Sequence, residues 1–214
     1  MAAETEMKIK EILGENLVTL AEYYTGDVKN LLAVCRALDF EELQKLKQLK
    51  EIPFVFTKEE ITDGVDVFPI EFLNIKQHHK ILYGDNLLED MAISKENLRY
   101  QLEFEFRSKL IHLRRQYLQS RGRDLEHLIL SAVPALVPII GGLIYLKDLR
   151  YSDTQDMFRV VSDGYGIDVQ VLEEIYDIRR KKAKFKKDKE QYIKYLIRVL
   201  SGIEEIVDEF KVTE

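Results

Sequence analysis

From Ser131 to Leu146 the chain reads SAVPALVPIIGGLIYL, without a single charged side chain. A run of this kind has to leave water, so it enters either lipid or a protein core. A membrane-spanning helix needs about 20 apolar residues. This run is shorter, is interrupted by Pro134, Pro138 and Gly141-Gly142, and is closed at once by Lys147, Asp148 and Arg150. It is expected to be a buried helix, or a broken helix pair, in the core of a bundle, with no membrane contact. Its neighbours agree with a bundle. Leu98, Leu102, Phe106, Leu110, Leu113 and Tyr117 recur at spacings of four and three, one apolar stripe along a helix over 95–120. Gly164-Tyr165-Gly166 marks a loop and a helix starts near Val169. A last helix over 187–210 presents Tyr192, Leu196, Val199, Leu200, Ile203, Ile206, Val207 and Phe210.

The first 90 residues have a different texture. Met7 to Leu13 suits a short helix ending at Gly14. NLVTLAEYY (16–24) and the apolar run 30–36 read as strands joined at Gly26-Asp27, an antiparallel pair. Asp39 with Glu42, and Thr57 with Glu60, have the spacing of capping boxes, the first for a helix over 40–50. Pro53 to Phe56 is extended. VFPIEFLNI (67–75) alternates Val67, Pro69, Glu71, Leu73 and Ile75 and reads as a strand, with Pro69 placing it near a sheet edge. The fold class expected is therefore α+β. A small mixed or antiparallel sheet with flanking helices occupies 1–90, and a helical bundle occupies 91–214.

Composition narrows the function classes. In 214 residues, 46% are hydrophobic and 33% charged, the balance of a globular protein. A net charge of -6 argues against a general nucleic-acid coat. Cys35 is the single cysteine, within an apolar run, so it can form no intramolecular disulfide and no cysteine metal cluster. The opening Met1-Ala2-Ala3-Glu4-Thr5-Glu6 lacks the apolar core of a signal peptide, and a cytoplasmic location is expected.

The stretch Asp66-Val67-Phe68-Pro69-Ile70-Glu71-Phe72-Leu73-Asn74-Ile75-Lys76 resembles a family of prokaryotic nucleotidyltransferases. His79, Leu82-Tyr83-Gly84-Asp85, Leu98-Arg99-Tyr100-Gln101-Leu102-Glu103, Lys109-Leu110 and Leu113-Arg114-Arg115 follow in the same order. The resemblance implies a polymerase-beta-like sheet followed by a bundle like that of the kanamycin-type nucleotidyltransferases. In that superfamily a Gly-Ser pair opens a helix that grips nucleotide phosphates. An Asp-x-Asp or Asp-x-Asn pair then begins the next strand, where residues i and i+2 share a face and can share divalent metals. A third carboxylate comes from a neighbouring strand.

This sequence departs from the pattern at that loop. Aligning Asn30-Leu31-Leu32 with the family's strand puts Asn30 at the second ligand and Val28 at the first, where an acid is required. Asp27 falls on the opposite face and the Gly-Ser helix is absent. Glu71 matches the third carboxylate, the one remnant of the catalytic set. The chain is therefore expected to be a catalytically degenerate relative serving as a binding or interaction module for a protein partner or weakly held nucleotide, with no cofactor. The rival is an active enzyme moving a nucleotidyl group from a nucleoside triphosphate to a hydroxyl. Under it Asp27 and Glu71 would bind Mg²⁺, while Asn30, Arg107 and Lys109 would contact nucleotide phosphates. A third reading comes from Arg179 to Lys189, RRKKAKFKKDK, in which eight of eleven residues are basic: a helical module bound to nucleic acid. Against it stand flanking acids and a single aromatic, Phe185. His78-His79, His112 and His127 lack the partners of a metal site.

Overall fold

A computed structural model describes residues 2–26 and 28–212. The chain divides into two compact units, one ending at Ser94 and the other starting at Lys95.

The first unit is built on a hairpin. Strand β1 (Leu17–Thr25) and strand β2 (Val28–Cys35) pair antiparallel, and Thr25 faces Val28 across a two-residue link. Gly26 has φ +58°, a left-handed value that costs glycine nothing. From β2 the chain crosses through helix α2 (Phe40–Leu46) to strand β3 (Phe54–Thr57), which runs parallel to β2. Both capping boxes form: Asp39 accepts from the Glu42 amide, and Thr57 from the Glu60 amide that opens α3 (Lys58–Gly64). Strand β4 (His79–Gly84) pairs antiparallel with the other side of β1, giving the order β3-β2-β1-β4. One sheet face is sealed by helix α1 (Ala2–Leu13): Ile9 and Leu13 join Leu20, Leu31, Ala33 and Leu46 in a buried cluster. Cys35 is buried there as a small apolar residue. Burial pushes its thiol up to about 11, so it carries no thiolate chemistry at neutral pH.

The strand expected over 67–75 is not a strand. Pro69 to His78 form helix α4, which buries Ile70, Phe72, Leu73, Asn74 and Ile75. Proline explains the reversal: at the first helical position its missing N–H costs nothing and its fixed φ is already helical. The fourth strand is instead His79–Gly84.

The regular structure of the second unit is all helix among the described residues: α5 (Lys95–Gln119), α6 (Arg123–Leu146), α7 (Thr154–Tyr165), α8 (Gln170–Arg179) and α9 (Lys189–Glu209). Helix α6 contains the charge-free run, and Leu136, Ile139, Ile140, Leu143 and Ile144 are buried. By length and composition α6 could cross a membrane, yet 61% of its most apolar window is buried among the other helices. Leu98 and Leu102 of α5 pack at Gly142, where a Cβ would come within 3.1 Å of the Leu102 side chain. Pro134 stands inside α6 and removes the helical donor for the Leu130 carbonyl. The Arg179 guanidinium supplies a replacement, donating to that oxygen at 3.3 Å.

Candidate functional site

The hairpin tip carries Val28 and Asn30, the two positions that the sequence aligns with a metal-ligand pair. Val28 and Asn30 stand on one face of β2, opposite Thr25 and Tyr23 of β1, while Lys29 points to the other face. Val28 is more than half exposed. The Asn30 amide donates to the Val28 carbonyl at 3.2 Å and to the Thr25 hydroxyl at 3.5 Å. A second amide arrives from α4: buried Asn74 donates to the same hydroxyl at 3.1 Å and to the Tyr24 carbonyl at 3.2 Å. Thr25 thus links the two asparagines. Asn74 is a residue that sequence reading missed; a lone amide within Pro69-Ile70-Glu71-Phe72-Leu73-Asn74-Ile75 must find a partner once buried.

The acids lie elsewhere. Glu71 occupies the exposed first turn of α4, where its charge complements the helix dipole, one turn before Asn74. It stands on a helix and not on a neighbouring strand. Asp27 lies outside the described residues. Glu22, on the face opposite Asn30, is paired with Lys29, with Lys80 at 3.9 Å. The Lys29 hydrogen bond holds its carboxyl below the usual range, and the same bond raises Lys29. Burial raises Tyr23, whose ring meets Phe54 edge-on at 6.4 Å. Among the described residues no group of three or more His, Cys, Asp or Glu side chains is placed to hold a metal ion.

In the helical unit Arg107 and Lys109 diverge, because residues two apart on a helix are about 200° apart around its axis. Arg107 is held by Glu103, Glu204 and Asp208 at 2.9–3.3 Å. Lys109 pairs with Glu105 at 3.1 Å, beside a small cleft of about 90 Å³ with His112, Gln116 and Ser131.

The basic run separates into two populations. Arg179 serves the Leu130 carbonyl, Arg180 donates to the Tyr176 hydroxyl, Lys187 binds both Glu174 oxygens and Lys189 binds Glu126. Lys181, Lys182, Lys184 and Lys186 are exposed, and none is paired with a carboxylate among the described residues. Phe185 packs edge-on against Tyr192 at 5.3 Å and anchors the loop.

The mixed sheet with flanking helices, followed by the bundle, resembles a nucleotidyltransferase fold. A solved structure it resembles is spectinomycin adenyltransferase from Enterococcus faecialis, crystallised with ATP and spectinomycin. The TM-score is 0.53 at 14% identity, over 93% of this chain and 99% of that one. At that identity the likeness is one of fold. No protein-family model matches the chain, and no curated protein does.

Proposed function

We propose that this protein is a catalytically degenerate nucleotidyltransferase relative that works as a binding or interaction module. The observation that carries the reading is the face holding Val28 and Asn30. Where the superfamily places two metal-binding carboxylates, this chain has a methyl-bearing side chain and an amide already bonded to Thr25 and the Val28 carbonyl. Two amides and a hydroxyl are a poor donor set for Mg²⁺, which is held by one or two carboxylates together with substrate phosphates. The two-residue link between β1 and β2 adds support, since it leaves no length for a phosphate-gripping helix. Fold likeness to an enzyme solved with ATP suggests the rival, adenylyl transfer to a hydroxyl acceptor through Asp27 and Glu71, with the bundle taking the part it has in kanamycin-type enzymes.

Calorimetric titration with ATP and GTP, with and without Mg²⁺, separates the two. Weak, metal-independent heats are expected. Transfer of label from α-labelled nucleoside triphosphate to a cellular acceptor, abolished in Glu71→Gln, would overturn the degenerate reading, because an active metal site cannot lose an ionised ligand unharmed.

A further inference from the structure

We propose that the 180–188 loop, with the cleft beside it, binds single-stranded nucleic acid. Backbone phosphates would lie on Lys181, Lys182, Lys184 and Lys186, and an unpaired base against Tyr195. The inference is independent of the nucleotidyltransferase reading, because it rests on the helical unit alone.

The loop is pre-shaped. The Lys182 and Ala183 amides donate to the Asp177 carbonyl, the Lys186 amide donates to the Tyr192 hydroxyl, and Lys181 holds a left-handed φ of +58°. Four like charges within six residues repel one another, and other basic groups of the run have found carboxylates, carbonyls or hydroxyls within the fold. These four have not. The net charge of -6 does not cancel them, because charges more than about 8 Å away are screened at physiological ionic strength. Phosphate oxygens spaced along a chain are the complement of such a row.

The cleft decides between single strand and duplex. It encloses about 880 Å³ and shares Lys187 with the loop. One side is a line along α9: Tyr195, Arg198, Gly202 and Glu205 recur at spacings of three and four. Tyr195 is partly exposed, with the Lys187 ammonium over its ring at 5.5 Å. Arg198 has no carboxylate partner among the described residues, and a Cβ added at Gly202 would meet nothing within 4 Å. Two carboxylates also line the cleft: Asp168, one oxygen of which accepts the Gln170 amide at 3.1 Å, and exposed Glu205. Phosphates are therefore placed on the lysine loop and only a base in the cleft. A basic track leading to an aromatic in an open cleft is how unpaired nucleotides are held without sequence preference, whereas a duplex offers no free base face. Phe185, packed against Tyr192, is not available for stacking.

The test is fluorescence anisotropy with a labelled single-stranded RNA of about 12 nucleotides, a size within the range of single-strand sites, repeated across a salt series. Log affinity is expected to fall with log salt at a slope near -3, four phosphates at about 0.7 each. The paired change Lys182→Glu/Lys184→Glu should weaken binding at least tenfold and flatten that slope. Lys184→Gln/Lys186→Gln should do the same more mildly. Tyr195→Ala should weaken binding at least about fivefold and leave the slope unchanged, since stacking carries no counterion. Circular dichroism should match wild type for all three. Absence of binding at low salt would overturn the proposal. So would full affinity in the glutamate pair, equal affinity for the matching duplex, or capture by anionic vesicles alone.

Discussion

The hairpin tip and the basic loop treat their polar groups in opposite ways. At the tip the amides and the charged pair are engaged within the fold: Asn30 and Asn74 share Thr25, and Glu22 is closed against Lys29. In the loop, half of the basic groups hold the fold together and the other half hold nothing. Side chains bonded to one another have little left for a ligand, and removing one costs stability. Side chains left uncompensated offer binding, and removing one costs the fold almost nothing. The face that carries Val28 and Asn30 is thus tied into the fold, while the spare charge sits in the helical unit.

That contrast can be broken by stability measurements. The reference point is Leu136→Asp, which puts an unpaired charge into the buried face of α6; urea denaturation should show a loss of about 3–5 kcal/mol. If that variant unfolds no earlier than wild type, the charge-free run is not core. Next, Asn74→Ala strips the Tyr24 carbonyl and Thr25 of a donor at the tip and should cost about 1–2 kcal/mol by the same measurement. Smaller again is Glu22→Gln, about 0.5 kcal/mol at neutral pH, the scale of a surface ion pair. Because Lys29 depresses the Glu22 carboxyl, its contribution is present above the ordinary value of 4.5 and fades as pH falls through the lower folded one. Wild type and variant should therefore converge in acid. Last, Lys184→Gln should leave stability within about 0.5 kcal/mol of wild type. A Lys184→Gln loss exceeding that of Asn74→Ala would reverse the comparison.

How much of this was legible in the sequence depended on distance along the chain. The hairpin was, within a residue or two, because strand alternation and a Gly26 turn are local signals. So were both capping boxes and the long stripe of α5. Residues 67–75 misled because Val67, Pro69, Leu73 and Ile75 alternate around Glu71 while Ile70, Phe72, Leu73 and Ile75 also suit a buried helix face. Pro69 fits both an edge strand and a first helical turn, and packing chose the second. Strand β4 was hidden for the opposite reason: an edge strand with exposed Lys80 and Tyr83 buries too little to announce itself. At the site, the neutrality of Val28 and Asn30 could be read directly. That Arg107 is spoken for could not, since Glu204 and Asp208 come from the far end of the chain. The same holds for the basic run, where carboxylates at Glu126 and Glu174 decide which lysines remain free.

The order β3-β2-β1-β4 leaves the sheet with two outer rims, and a bare rim can recruit a strand from another molecule. Each rim here carries its own deterrent. On one side β3 is only four residues long, follows Pro53 and runs straight into α3. On the other, β4 departs from regular register opposite Leu20 and Ala21, and raises Lys80, 74% exposed, near the start of the strand. Replacing that lysine with valine is expected to leave the fold intact and to favour pairing of this rim with another molecule. Resistance to edge pairing can thus be carried by a side chain with no part in the core.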